Sequence, residues 1–284
     1  MHTVKHTALP EKTNPLVEKF TEGERSAVKE LVTRLPLIFE EAFKDLKDES
    51  HKLEAVDFWG VQIDPSKGDT EDARVDVILV KFIRARNSDI EAAQQQLIDT
   101  LKWRHTFRAS ETVNEVFPDE VFGKLCHNFG KDKDGRPISY NVYGGDQDLK
   151  AIFGDLDRFL RWRISMQEKA LRLLDFTTVD TLLQVHDYDG LGMSSRDANS
   201  KRAATEASKI FQDYYPETLH RKFFVGVPTI MTWIFWAFKP LVSAATFAKL
   251  SVAGRGPETI GKELLPYIDS SELPQRYGGK AEAF

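Results

Sequence analysis

The sequence predicts an α/β fold in which a helical N-terminal region precedes a domain with a mixed, mostly parallel sheet. Before residue 110, apolar residues recur at helical spacing in residues 71–86 and 90–107. After residue 120, short apolar runs alternate with helical stretches, as expected for strands joined by crossover helices. We therefore expect a flexible arm at 1–20, a helical region at 21–118 and an α/β domain at 119–284.

The composition is that of an ordinary globular protein. The 284 residues are 41% hydrophobic and 29% charged, which allows a large core. A formal net charge of −5 argues against nucleic acid as a partner, because nucleic-acid-binding surfaces are basic. The single cysteine, Cys126, excludes an intramolecular disulfide and a Cys-rich metal site. The single cysteine and the lack of a visible signal peptide point to the cytosol. The sequence leaves the oligomeric state open.

The N-terminal region contains clear helix signals. Thr21 and Glu24 have the spacing of a capping box, so a helix is expected from there to Leu31, with a break or a restart at Pro36. Residues 87–89 read Asn-Ser-Asp, which ends the helix before them and caps the one that follows.

The second half begins with a turn at residues 131–137. Its Asp-x-Asp-Gly resembles a calcium loop, but Gly130 stands at the first ligand position and Asn141 at the last, so the motif is a turn. The elements predicted after it are a strand at 138–143, a helix at 157–174, a strand at 181–188, a helix at 197–214 and a strand at 223–227.

The strand at 181–188 carries the most unusual chemistry of the chain. Side chains alternate across a strand, so Leu182, Gln184, His186 and Tyr188 are predicted on one face and Leu183, Val185 and Asp187 on the other. His186 and Tyr188 are then about 6.5–7 Å apart, close enough to contact one bound group. The alternative is a hydrogen-bonded core histidine beside a packed tyrosine.

The stretch from Pro228 to Leu250 is apolar on all faces of a helix. A membrane span is disfavoured because Lys239 and Pro240 fall in its middle. Two interpretations of this stretch remain. It is either a buried core helix or a lid that covers a bound lipid on one side and touches a bilayer on the other. No catalytic motif is present, neither a nucleophile elbow nor a phosphate-binding glycine loop, so nothing in the sequence demands an enzyme.

Several motifs, in this order, resemble the CRAL-TRIO lipid-carrier family. They are residues 79–87, 103–104, 132–137, 214–217, 238–240 and 273–280. The resemblance implies a CRAL-TRIO lipid-binding domain whose sheet floors an apolar pocket under a gate helix, here Pro228 to about Leu250. In the fungal phosphatidylinositol transfer branch the inositol phosphate is held by four side chains, which correspond to Arg86, Glu217, Thr246 and Lys249 here. Two cations, a carboxylate and a hydroxyl suit a phosphodiester and inositol hydroxyls.

Two departures from the classical members of that branch concern the strand at 181–188. The polar pair that helps to hold phosphatidylcholine is replaced by Leu182 and Gln184, so choline lipids are not expected. His186 and Tyr188 resemble the signature of the non-classical, haem-binding subgroup, in which the tyrosine is the axial ligand of ferric haem b. A phenolate is a hard anionic donor that suits ferric iron, and His186 either coordinates the iron or supports Tyr188.

The resemblance therefore implies a cytoplasmic carrier of phosphatidylinositol, not an enzyme, that binds peripherally to endoplasmic reticulum or microsomal membrane and takes haem at Tyr188. Two other classes stay open. One is a haem-dependent redox enzyme, which peroxide turnover would reveal. The other is a carrier of another hydrophobic ligand such as a sterol or tocopherol, which competition with phosphatidylinositol would reveal.

Overall fold

The computed structural model describes residues 12–46, 54–67, 71–145, 147–191, 198–227, 247–282 and 284. Contacts divide the chain into two units. The N-terminal unit comprises residues 1–113, 171–180 and 208–218. The sheet unit comprises residues 114–170, 181–207 and 219–284.

The secondary structure is α/β, as predicted. The helices are α1 (Glu22–Phe43), α2 (Ala73–Ala85), α3 (Ile90–Phe107), α4 (Asp119–Phe122), α5 (Leu149–Phe153), α6 (Leu156–Leu171), α7 (Ala198–Tyr214) and α8 (Pro257–Leu264). The strands are β1 (Val56–Phe58), β2 (Val61–Ile63), β3 (Cys126–Lys131), β4 (Pro137–Val142), β5 (Leu182–Asp187), β6 (Leu219–Val225) and β7 (Leu250–Val252).

Helix α1 confirms one prediction and corrects another. The capping box is present, with the Glu24 amide donating to the Thr21 hydroxyl and the Thr21 amide donating to the Glu24 carboxylate at 2.8 Å. The predicted break at Pro36 is wrong, because the helix continues to Phe43. Leu35 and Ile38, on either side of the proline, are fully buried. Burial of this face outweighs the one hydrogen bond that proline removes.

The segment before α1 is not a loose arm over residues 14–20. The buried Asn14 amide donates to the Phe176 carbonyl at 3.1 Å, and its side-chain oxygen accepts from the Val17 amide at 2.9 Å. Val17 and Phe20 are buried as well. The prolines and polar residues suggested disorder, but two apolar anchors are enough to fix this segment.

A short hairpin, β1 and β2, completes the N-terminal unit. Its two turn residues, Trp59 and Gly60, have φ angles of +57° and +96°, as a two-residue hairpin turn requires. The buried Trp59 ring stacks on Phe176 and Tyr215, at 6.0 Å from each ring centre. Aromatic burial is enough to hold a non-glycine residue in the left-handed region.

The sheet unit is built on five strands in the order β3-β4-β5-β6-β7. Strands β3 and β4 are antiparallel, and every later pair is parallel. The sheet is therefore mixed and mostly parallel, as predicted, and β5 lies at its centre. Strand β6 begins at Leu219, four residues before the predicted start, because parallel pairing with β5 recruits the polar residues that precede Phe223.

The two faces of this sheet differ in chemistry. One face is apolar and packs against α8 and the C-terminal segment through Ile138, Tyr140, Leu183, Val185, Phe223, Val225, Ile260 and Leu264. Leu183 and Val185 lie there, so the predicted alternation along β5 is confirmed and Gln184 and His186 point to the opposite side.

The predicted gate at residues 228–250 lies outside the described residues except for its last four. Across the ranges that the structure describes, no helix has the length and hydropathy of a membrane span.

Candidate functional site

The second face of the sheet is lined by aromatic and polar side chains, and we call it the polar face. It is defined by Asn141, Tyr143, Gln184, His186, Tyr188, Lys222 and Phe224. Helix α6 covers part of it, because the Gln184 amide donates to the Gln167 side-chain oxygen at 3.2 Å. This face carries the residues that the sequence singled out.

Tyr188 stands in an aromatic cluster on the polar face. Its ring stacks on Tyr143 at 5.8 Å between centres and on Phe224 at 6.2 Å. The His186 ring centre is 6.5 Å from that of Tyr188. The prediction that these two rings share a face at this spacing is confirmed. An aromatic cluster of this kind offers flat apolar surfaces together with two phenols and one imidazole.

The backbone around Tyr188 is held from two sides. The Tyr188 amide donates to the Val225 carbonyl at 2.9 Å, and the Tyr143 amide donates to the Asp187 carbonyl at 2.9 Å. Gly226 has a φ of +68°, and a Cβ there would lie 2.5 Å from the Asp189 nitrogen. The chain after β5 therefore fits only because residue 226 lacks a side chain.

The electrostatics of the polar face keep the tyrosines protonated. Burial and the neighbouring Tyr143 raise the pKa of Tyr188, while the Arg163 guanidinium opposes this shift. Burial also raises the pKa of Tyr143, whose hydroxyl accepts a hydrogen bond from Arg163. A phenolate at Tyr188 therefore requires a strong cation at its oxygen.

His186 is neutral, and its hydrogen bonds define its tautomer. Burial, Lys222 and Arg163 lower its pKa well below the usual value. Gln184 donates its amide to Gln167, so the Gln184 oxygen faces His186 Nε2 at 3.3 Å and accepts the ring proton. The lone pair of His186 is then on Nδ1, which makes the ring a neutral donor ligand or hydrogen-bond acceptor.

The side of β5 opposite His186 is tied to the C-terminal segment through Asp187. This carboxylate is 2% exposed and accepts from the Arg276 guanidinium at 2.6 Å and the Tyr277 hydroxyl at 2.9 Å. Gly278 follows with a φ of +92°, and a Cβ there would lie 2.4 Å from the Pro257 carbonyl. Asp187 therefore positions the strand that carries His186 and Tyr188.

Replacing Asp187 with Asn is expected to destabilise the fold by about 1–3 kcal/mol. The new amide nitrogen would face the Arg276 guanidinium and the Tyr277 hydroxyl, which are both donors. At least one buried donor would then lack an acceptor. Urea denaturation measures the change in the free energy of unfolding. Asp189→Asn is the matched control, because that carboxylate is 56% exposed and forms its ion pair with the half-exposed Arg255. Equal stability of both variants would contradict a structural role for Asp187.

Two of the predicted headgroup residues belong to the N-terminal unit. Arg86 is exposed and caps the C-terminus of α2. Glu217 follows α7 with a φ of +49°, a left-handed conformation that is rare for this residue type. The Lys81 ammonium, from α2, donates to the Glu217 carbonyl at 2.9 Å and to the Asp180 carboxylate at 2.7 Å. Lys81 is 1% exposed and fixes the backbone of Glu217 against α2.

The other two predicted headgroup residues lie further along the chain. Lys249, in the sheet unit, directly precedes β7, and its carbonyl accepts from the Lys222 amide at 2.8 Å. Thr246 lies outside the described residues. The four residues remain a prediction as a headgroup site.

Sequence reasoning missed three cations that the structure places at important positions: Lys81, Arg163 and Lys222. A signal exists for Arg163, because Phe159, Arg163 and Gln167 recur every four residues along one buried stripe of α6. Lys222 alternates with Arg221 and Phe223 in β6, but its partner strand and register cannot be read from the sequence.

The fold and the motifs identify the class of protein. Residues 122–279 match the CRAL/TRIO domain, which is more than half of the chain. The chain belongs to the CRAL/TRIO domain family.

Individual relatives agree with this assignment. The phosphatidylinositol transfer protein SFH5 of Kluyveromyces lactis is 36% identical over 230 residues, which cover 79% of this chain and 75% of that protein. The protein of the same name from Meyerozyma guilliermondii is 33% identical over 301 residues, covering 99% of this chain and 85% of the relative. A crystal structure of Sfh5 superposes with a TM-score of 0.77 at 29% identity and covers 94% of this chain and 90% of that one.

Proposed function

We propose that this chain transfers phosphatidylinositol between membranes and that its polar face also binds ferric haem through Tyr188. The observation that carries the proposal is the match over most of the chain to relatives named phosphatidylinositol transfer protein. We further propose a cytoplasmic location with peripheral binding to the endoplasmic reticulum or microsomal membrane.

The polar face supports the choice of lipid. The polar groups of Gln184 are used by Gln167 and His186, so they offer nothing to a choline headgroup. Leu182, the second position of the pair, is buried and apolar. For the headgroup site we propose Arg86, Glu217, Thr246 and Lys249, the positions that the family resemblance implies. The acyl chains of the lipid have about 30 methylenes, and exposing each one to water costs ~0.8 kcal/mol. The chains must therefore pass directly between the protein and a bilayer when the lipid is released.

The residues of the polar face also fit haem. Tyr188 would supply an oxygen ligand, and His186 a neutral imidazole on the same side of β5. The stacked rings of Tyr143 and Phe224 offer flat apolar surface beside them. When bound there, ferric haem would supply a Lewis-acidic iron. Arg163, which already lowers the pKa of Tyr188, would help this residue to release its proton.

A vesicle assay tests the lipid part of the proposal. Transfer of labelled phosphatidylinositol from donor to acceptor vesicles is expected for the wild type, without transfer of phosphatidylcholine. Lys249→Ala is expected to lower phosphatidylinositol transfer about 10- to 100-fold, because a charge-assisted contact to the phosphate is lost.

Lys262→Ala is the matched control for this assay, since Lys262 is 72% exposed and lies on α8. It is expected to transfer phosphatidylinositol as the wild type does. Transfer of sterol in preference to phosphatidylinositol would reject the proposed lipid, and equal rates for both lysine variants would reject the headgroup assignment of Lys249.

A further inference from the structure

The Tyr-Gly-Gly motif at residues 143–145, which directly follows β4, is fitted closely against the turn that follows β5. The Gly144 amide donates to the Asp187 carbonyl at 3.1 Å. The Gly145 amide donates to the Asp189 carbonyl at 2.8 Å. A Cβ at Gly144 would lie 1.8 Å from that Asp189 oxygen. The two segments approach this closely only because residue 144 lacks a side chain.

This fit places Tyr143 beside Tyr188. Val142 pairs with Asp187 in the parallel register of β4 and β5, so the two tyrosines that follow them are neighbours as well. Their rings are nearly parallel, with 21° between the planes and 5.8 Å between the centres. Backbone contacts on both sides of Tyr188 therefore hold a second phenol next to it.

Arg163 of α6 orients the hydroxyl of Tyr143. This arginine is 3% exposed and donates to the Tyr143 oxygen. Because a guanidinium has no acceptor atom, the Tyr143 oxygen accepts this bond and its own proton is left for another acceptor. Arg163 and Glu168, a fully buried carboxylate of the same helix, have further contacts of their own. The ligand is therefore not required to balance either charge.

Two acceptors on the polar face adjoin Tyr143. They are Tyr188 and His186, and each has its ring centre 5.8 Å from that of Tyr143. The imidazole lone pair is neutral, whereas the Tyr188 oxygen would be anionic as a ligand of ferric iron. Hydrogen bonds to an ionised acceptor are about twice as strong as neutral ones. With iron bound, Tyr188 is therefore the stronger acceptor for the Tyr143 proton.

We propose that Tyr143, oriented by Arg163, donates a hydrogen bond to the Tyr188 oxygen and so stabilises this oxygen as the ligand of ferric haem. The inference rests on the proposed function, because it requires haem at Tyr188. Tyr143 is then a positioning residue that acts on haem binding only through Tyr188. Outer partners of a metal ligand typically contribute about 10- to 100-fold to metal affinity.

A double-mutant cycle on haem affinity tests this inference. Tyr143→Phe keeps the ring and removes the hydroxyl, and it is expected to lower the affinity for ferric haem about 10- to 100-fold in the wild-type background. In the Tyr188→Phe background the same substitution should change nothing, because the acceptor is already lost. Tyr140→Phe removes a buried hydroxyl from the apolar face and is the matched control. It should match its parent in both backgrounds.

The outcomes separate this inference from the proposed function. Equal affinities of Tyr143→Phe and the wild type overturn the inference while Tyr188 stays the ligand. An equal loss in both backgrounds also overturns it, because Tyr143 then acts without Tyr188, on the fold or through His186. If Tyr188→Phe binds haem as the wild type does, the proposed ligand fails and the inference fails with it. Near-ultraviolet circular dichroism of each variant checks that it is folded.

Discussion

Tyr188→Phe is expected to lower the affinity for ferric haem by about 100-fold or more and to change its visible spectrum. The substitution removes only the phenol oxygen, so the aromatic stack with Tyr143 and Phe224 is kept. Loss of an iron ligand costs at least as much as loss of a side chain that only orients a ligand, for which 10- to 100-fold is typical. Titration of the apoprotein with haem, followed by absorption, measures the affinity and the spectrum together.

Tyr140→Phe is the matched control for this experiment. Tyr140 is buried on β4 of the same sheet and packs on the apolar face, where its ring stacks on Tyr277 at 5.3 Å. Its hydroxyl has no hydrogen-bond partner within the described ranges. The control should bind haem as the wild type does. Identical titrations for Tyr188→Phe and the wild type would exclude Tyr188 as the ligand.

The pH dependence of haem binding follows from the raised pKa of Tyr188. Burial keeps the Tyr188 phenol protonated at neutral pH, so Tyr188 would have to lose this proton to act as a phenolate ligand of ferric haem. The affinity should therefore rise as the pH increases from 6 to 9, by up to about tenfold per unit. Titrations at several pH values measure this slope, and an affinity that falls over the same range would indicate a different ligand.

Lys81→Met is expected to destabilise the protein by about 3–5 kcal/mol. The ammonium is 1% exposed and holds the Asp180 carboxylate and the carbonyls of Asp180 and Glu217. Removal leaves a partly buried carboxylate without its cation, which is the costly way to break a buried pair. Urea denaturation should show a lower midpoint at an unchanged slope. Because Lys81 fixes Glu217, phosphatidylinositol transfer should also fall.

Lys44→Met is the control for Lys81. Lys44 also forms an ion pair, with Glu41 at 2.7 Å, but both side chains are about half exposed, at 51% and 45%. Its loss should hardly change the unfolding midpoint, because exposed pairs contribute little. A midpoint for Lys81→Met equal to that of Lys44→Met would show that the buried ammonium contributes nothing to stability.

The side of β5 on which each side chain lies could be predicted from the sequence, because side chains alternate along a strand with a period of two. The alternation placed His186 and Tyr188 on one side of β5 and Leu183 on the other, and the structure agrees. The helix α3 was predicted over the same residues for the equivalent reason, a period of 3.6 with Asp89 as its cap.

What could not be predicted depends on contacts between distant residues. The helix α1 continues through Pro36 because its buried face packs on both sides of the proline. Lys222 lies on the polar face because β6 pairs in parallel with β5 in one particular register. Lys81 reaches Glu217 across 136 positions of the chain. Local patterns contain no information about such pairings.

Native mass spectrometry of the wild-type chain, purified without added ligand, tests the central claim most directly. The claim is that the chain binds phosphatidylinositol and, through Tyr188, haem. The account predicts mass increments of haem and of phosphatidylinositol in the wild type, and loss of the haem increment alone in Tyr188→Phe. A wild-type protein that carries a sterol or another neutral lipid, with neither haem nor phosphatidylinositol, would contradict it.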